Sequence, residues 1–368
     1  MINRLKLFIN NEKSLFNENK IKYIFSTIIL ISIGLLSFML PSFSSGPLHK
    51  IPLLFTGILC LMIFIYIFSF DNFTISKYAI FMIMFLLAIF ISSLLNDITQ
   101  IQKTEFLLII MFIMLHMFVS KNDFVDKAIF ALYIGLCFFL LYFFISYFKQ
   151  IISLDFNRLG GAFGNVNAIG EYFIIGYLIN MYLAIIRKKY LLLLTVPFFI
   201  VFGLFTGSKS FFMSLVILSI CFMIMLFGKK KWYISIIIIV VGLLCAIGLL
   251  QMPAFAILKK RLLDMIRELI GQSSLLDLST IERQDMFFEG IYLFTIKPLF
   301  GWGISGFNLN SAYNAYSHST ISELLCDFGI VGFVTFLLPI FMSFIDTKKN
   351  DDRKWILKYL LLIYVSIL

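Results

Sequence analysis

Apolar runs of about 20 residues recur along this chain from Ile21 to its end, and no other feature constrains the fold so tightly. The hydrocarbon layer of a bilayer is ~30 Å thick and a helix rises ~1.5 Å per residue, so a run of that length is what one crossing requires. Inside lipid, backbone N–H and C=O groups must pair within their own segment, which selects helices. The runs predict spans near 21–40, 51–70, 77–95, 104–119, 127–148, 167–186, 190–206, 209–227, 231–250, 317–345 and 354–368. The expectation is an all-α, polytopic membrane bundle of about eleven helices. It divides into a cytoplasmic segment 1–20, a nine-span bundle 21–250, a large loop 251–316 and C-terminal spans 317–368.

Charge placement sets the orientation. Of 368 residues only 14% are charged, against about 25% in soluble domains. With the N-terminus inside, the segments facing the cytoplasm carry 18 Lys and Arg, whereas the short outer segments carry 5. Positive residues are retained on the cytoplasmic side, so the loop 251–316 is expected outside. The net charge of +10 is spread between spans rather than gathered on a soluble face, which argues against nucleic acid. The first run is long and lacks a small-residue cleavage site, and so reads as an uncleaved anchor. Cys60, Cys137, Cys221, Cys245 and Cys326 lie in or beside apolar runs with neither disulfide nor metal spacing.

Two outer segments stand apart. The stretch RLGGAFGNVN at 158–167 is polar and glycine-rich and leads directly into a span. Within 251–316, Phe255, Leu258, Leu262, Met265, Ile266 and Leu269 recur at helical spacing, with Lys259, Lys260, Arg261, Asp264 and Arg267 on the other face. That pattern predicts an amphipathic helix on the membrane surface or on the bundle. A second helix is expected from about 280, with Ser279 as its cap, Glu282 in capping-box position and Pro298 as its stop.

The polar residues that could carry chemistry gather on the outer side: Arg158, Asn165, Asn167, Glu171, Lys209, Arg283, Asp285, His318 and Glu323. Lys209 is compatible with an interfacial, snorkelling lysine, Arg158 with a solvated loop charge and Arg283 with a helix-surface charge. His318 is one of three histidines and ends the long loop at the mouth of a span, where imidazole can accept a proton from a hydroxyl. The competing reading of His318 is an interfacial hydrogen-bonding residue. The letters GxGxxG at 301–306 follow a helix signal rather than a strand and lie outside, so nucleotide binding is rejected. The chain carries no P-loop, zincin or GxSxG motif.

The ordered set RLGGAFGNVN at 158–167, TGSK at 206–209, Glu282-Arg283, KPLFGWGISGF at 297–307 and YSHSTISELLCDFGIVG at 316–332 resembles the O-antigen ligase and polymerase superfamily over about residues 155–345. The resemblance implies a GT-C-like bundle in the bacterial cytoplasmic membrane. It implies a metal-independent inverting glycosyltransferase with no cofactor, whose partners are a polyprenyl-diphosphate-linked oligosaccharide donor, a glycan acceptor and other polysaccharide-assembly membrane proteins. By that resemblance Arg158, Lys209 and Arg283 grip the diphosphate, Arg283 and His318 serve catalysis, and Asn165, Asn167, Glu171 and Glu323 support them. Two positions depart from the family's pattern: Lys209 where arginine is usual, and Ser319 where asparagine often follows the histidine.

A repeat-unit polymerase for capsule, O-antigen or another surface polysaccharide is the favoured function. A ligase moving finished glycan to lipid A core, protein or wall polymer is the alternative. A lipid-linked oligosaccharide flippase would instead predict internal repeats and broken helices, and neither is evident in the sequence. Reporter fusions should place 1–20, 187–189, 228–231 and 346–354 in the cytoplasm and 251–316 outside; a cytoplasmic 251–316 would set the charge bias and the chemistry on opposite faces.

Overall fold

The computed structural model describes residues 2–43, 50–70, 77–96, 124–153, 158–185, 187–227, 250–269 and 278–350, with isolated positions between them. All regular structure among the described residues is helical. Five helices are long and apolar enough to cross a membrane, at Lys20–Ser42, Lys50–Phe70, Val125–Ser146, Val166–Ile185 and Thr320–Pro339. The chain is therefore an integral membrane protein that crosses more than once. Three shorter apolar helices, Ala79–Leu95, Tyr190–Phe205 and Lys209–Met223, accompany them. The expected spans 104–119 and 231–250 lie largely, and 354–368 wholly, outside the described residues.

The helices are α1 (Ile2–Ser42), α2 (Lys50–Phe70), α3 (Lys77–Leu95), α4 (Phe124–Ser146), α5 (Phe148–Ile152), α6 (Val166–Ile185), α7 (Val196–Phe205), α8 (Lys209–Phe227), α9 (Ala256–Leu269), α10 (Leu278–Ile296), α11 (Gly306–Asn310) and α12 (Thr320–Asn350). They fall into two compact units, the first Met1–Ser76 with Leu107–Phe139 and the second Lys77–Phe106 with Leu140–Leu368. In the first unit Tyr66 stacks on Phe25 with ring centroids 6.3 Å apart and meets Phe118 edge-on at 5.2 Å. There Ser37 Oγ also donates to Leu132 O at 3.1 Å.

The second unit carries every residue that the sequence singled out for chemistry. Its central helix is α6, whose apolar stretch is 67% buried against protein, compared with 33–39% for the other spans, so protein covers more of α6 than of any of these. It packs on α7 and α8 through rings: Phe173 meets Phe202 edge-on at 6.4 Å, and Tyr177 meets Phe222 edge-on at 5.9 Å. The expected span 190–206 is not one helix. A 3-10 turn over Tyr190–Thr195 precedes α7, because Pro197 in the first turn of α7 lacks the N–H that would continue a helix through that point.

Two further expectations are corrected. The second loop helix begins at Leu278, so Ser279 lies in its first turn and does not cap it; the helix ends at Ile296, ahead of Pro298 as expected. The last described helix, α12, is broken at Gly329 (φ 62°, ψ −165°), although the apolar pattern runs through that position without interruption. The break frees backbone groups that lipid cannot satisfy, and the segment 298–303 takes them up. Trp302 N donates to Cys326 O at 2.9 Å and Gly303 N to Asp327 O at 2.7 Å, while Ile330 N donates to Pro298 O at 2.8 Å and Val331 N to Leu299 O at 3.2 Å. Ser92 of α3 adds a hydroxyl to Asp327 O at 2.9 Å and another contact to Phe300 O, and Asn96 Nδ2 donates to Gly301 O at 3.0 Å.

This docking accounts for the first glycine of the GxGxxG letters and for Gly329 opposite it. A Cβ on Gly301 would lie 2.4 Å from Cys326 O, and one on Gly329 would lie 2.4 Å from Leu299 O, both backbone atoms that cannot move aside. Gly329→Ala should therefore destabilise the protein by roughly 2 kcal/mol or more, combining a strained φ/ψ with a backbone clash. Gly161→Ala, where a Cβ meets open space, should stay within about 0.5 kcal/mol of the natural protein. Thermal unfolding in detergent, read by fluorescence-detected chromatography, compares the two.

Candidate functional site

The site is built around the C-terminal end of α7. A helix ends with four carbonyls that lack intrahelical partners, and burial makes an unpartnered carbonyl costly. Here three consecutive carbonyls are taken by two different segments. Leu159 N donates to Phe205 O at 3.0 Å, Arg158 Nε to Thr206 O at 3.3 Å and Arg261 Nη1 to Gly207 O at 2.8 Å. Guanidinium groups suit this place, since the carbonyl end of a helix carries partial negative charge.

Arg158 is fixed from a second side, donating through Nη2 to Asn167 Oδ1 at 2.8 Å. Asn165 acts locally, its Oδ1 accepting from Asn167 N at 3.0 Å and so capping the start of α6. Glu171 stands one turn beyond Asn167, half-buried on α6. Gly170 lets this turn approach the end of α7 closely. A Cβ there would lie 3.1 Å from Ser208 Cβ and 3.2 Å from Thr206 Oγ1.

Lys209 opens α8, directly after Ser208, whose Oγ accepts from Phe211 N at 3.4 Å as the helix cap. A cation in the first turn of a helix faces the positive end of the macrodipole, a repulsive placement that an anion relieves. Arg283 projects from the first turns of α10 and lies near enough to Arg158 to act on it. The Arg158 guanidinium has its pKa lowered by partial burial first and then by the charges of Arg261 and Arg283. Three arginines thus converge at the end of α7, with Lys209 two residues beyond the carbonyl that Arg261 holds.

His318 stands next to this cluster. Partial burial and the Arg283 charge hold its pKa below the ordinary imidazole value, which favours the neutral, proton-accepting form. Its backbone is left-handed (φ 55°), an uncommon conformation for a side-chain-bearing residue. Neighbouring groups enforce it. The buried Ser317 Oγ lies 2.9 Å from Ser319 O and 3.2 Å from Glu323 Oε2, and accepts from Ser319 N and Ser322 Oγ at 3.2 Å each. The ring of Tyr316 lies against the imidazole with centroids 4.0 Å apart.

Ser319 caps α12, its Oγ accepting from Ser322 N at 3.4 Å. Serine and asparagine cap equally well, so the departure at this position preserves its physical role. The close approach of α10 to α12 falls at Gly290, where a Cβ would lie 2.9 Å from Ser322 Cβ. That crossing brings Arg283 and His318 to one end of the helix pair.

Sequence reasoning missed Arg261, which it assigned to the polar face of the amphipathic helix. Nothing local could have revealed its role, since its partner lies 54 residues earlier in the chain. The helix itself is present as α9. Phe255, Leu258 and Leu262 are buried, with Phe255 stacked on Phe205 at 5.4 Å, whereas Ile266 is exposed and does not belong to the docked face.

No curated protein matches the chain. Residues 190–337 match the family model described as O-antigen ligase. The match takes in Lys209, Arg283, His318 and Glu323, and it begins beyond Arg158, Asn165, Asn167 and Glu171, of which Arg158 is tied to it through Thr206 O. Over residues 190–337 the chain is similar to the O-antigen ligase family, which supports its resemblance to the O-antigen ligase and polymerase superfamily.

Proposed function

We propose that this protein is a polysaccharide repeat-unit polymerase of the bacterial cytoplasmic membrane. It transfers glycan from a polyprenyl-diphosphate carrier to a lipid-linked acceptor at the outer face. The observation that carries this reading is the convergence of Arg158 and Arg283 with His318 at one end of an apolar helical unit. A diphosphate on a lipid tail presents this chemistry, with its charge at the membrane boundary and its tail in hydrocarbon. A ligase is the second reading, favoured by the ligase description of the matched family.

The reaction needs little beyond placement and charge. The acceptor hydroxyl loses its proton to neutral His318 as its oxygen attacks the anomeric carbon. The anomeric C–O bond breaks on the opposite side, its electron pair passes to the diphosphate oxygen, and the configuration inverts. Arg158, Lys209 and Arg283 stabilise the charge gained by the leaving diphosphate, and fixed cations at a poorly hydrated boundary do so more effectively than water. Holding both substrates removes the entropy of bringing them together.

Lys209→Arg should retain or raise activity, because the charge is kept and a bidentate fork is added. Lys209→Ala and Arg158→Ala should lose donor use, and wild-type polymer length from both would return these residues to snorkelling and loop-charge roles. His318→Ala should slow transfer on a defined polyprenyl-diphosphate oligosaccharide by at least roughly a hundredfold, since general-base assistance is typically worth about 10²–10⁴. Rates are normalised to folded protein; a variant within a few-fold of the natural enzyme sinks the assignment.

The pH dependence follows from the direction of the His318 shift. A base works when unprotonated, so activity should be full at neutral pH and fall as pH drops through a pKa lying below the ordinary value of about 6.5. Arg283→Gln removes the neighbouring cation and should move the acid limb of kcat/KM to higher pH. An unmoved limb in this variant separates His318 from the titrating group.

A further inference from the structure

Arg261 belongs to none of the motifs that carry the family resemblance, yet the fold delivers it to the cation cluster. We propose that Arg261 is a fourth diphosphate-binding residue, brought to the carrier by the amphipathic helix α9, so that the long outer loop and the bundle hold the diphosphate together. This rests on the carrier-diphosphate reading of the site.

Three observations carry it. The first is position, since the 2.8 Å bond to Gly207 O fixes the guanidinium on the turn that leads into Lys209, one carbonyl beyond the one held by Arg158. The second is unused capacity. A guanidinium has five N–H donors, and the bond to Gly207 O uses one. Among the described residues no carboxylate pairs with Arg261; the acidic side chain of the same helix, Asp264, pairs with Arg267 at 3.6 Å. The third is the gathering of like charge. Arg261 and Arg283 both act on Arg158, and such a cluster is unfavourable until an anion joins it.

The faces of α9 also separate Arg261 from the lipid headgroups. Phe255, Leu258 and Leu262 dock the helix, and Arg261 lies on the flank that reaches the Gly207 carbonyl. The exposed flank carries Leu263 and Ile266 together with Lys260 and Arg267, an apolar and basic mixture suited to an anionic bilayer surface. Headgroup attraction is therefore expected from Lys260 and Arg267, and diphosphate binding from Arg261.

The test is equilibrium binding of undecaprenyl diphosphate to the full chain in nanodiscs, with and without phosphatidylglycerol, with inorganic diphosphate as competitor. Arg261→Gln keeps an N–H donor for Gly207 O but removes the charge, and should weaken binding about tenfold or more, as loss of a charge-assisted hydrogen bond does. Arg261→Lys should recover part of the loss, and Arg267→Gln should bind undecaprenyl diphosphate as the natural protein does. Inorganic diphosphate should compete less well once Arg261 is replaced by Gln than it does in the natural protein.

Natural affinity in Arg261→Gln would make Arg261 a structural pin and overturn the proposal. A loss seen only with phosphatidylglycerol present would make it a headgroup contact, which also overturns it. Arg158→Gln separates the two levels of inference. If Arg158→Gln weakens binding and Arg261→Gln does not, the assignment of Arg261 alone fails; if neither does, the carrier-diphosphate reading fails with it.

Discussion

Three backbone carbonyls at the end of α7 organise the site. Phe205 O, Thr206 O and Gly207 O have no partner within their own helix, and each is satisfied from elsewhere in the chain. Because the partners are an amide and two guanidinium groups, pairing these carbonyls also gathers positive charge. Among the described residues Arg158 and Arg261 are held not by carboxylates, which would neutralise them, but by neutral oxygens that fix the side chains and leave their charge available. A cluster held in this way is ready for an anion before the anion arrives, which is the condition for strong electrostatic stabilisation of a leaving diphosphate.

The histidine is held by a second device of similar kind. Ser317, Ser319, Ser322 and Glu323 share one hydrogen-bonded cluster at the start of α12, and His318 sits within it in a left-handed conformation. A strained backbone at a candidate catalytic residue persists when its surroundings over-determine it. The glycine crossing at Gly290 and the docking of 298–303 into the break at Gly329 anchor α10 and α12 to each other and to α3. The placement of the candidate base thus draws on helix packing as well as on its own serine cluster.

The departures from expectation share a cause. GxGxxG at 301–306 has the letters of a nucleotide loop, but its first glycine serves close backbone approach to a broken helix. The break in α12 left no mark in hydropathy, since Gly329 sits in an apolar run, and its cost is met by a segment some 30 residues earlier, at 298–303. Pro197 was visible, yet its effect on the expected span 190–206 depends on where the helix around it starts. In each case a residue type was legible and its partner was not.

Composition and spacing were enough to establish that this chain is an integral membrane protein with several spans, and the order of its motifs pointed to the family whose model residues 190–337 match. Those properties are local, because transfer into hydrocarbon is a matter for each segment on its own. Residue type and position also pointed to Arg158, Lys209, Arg283 and His318. It took the folded chain to bring Arg261 to them, to make Asn165 a helix cap rather than a contact of the cations, and to set Glu323 against Ser317. Those outcomes depend on which distant side chain reaches an unsatisfied helix end, and only the packing of the helices in three dimensions fixes that distance.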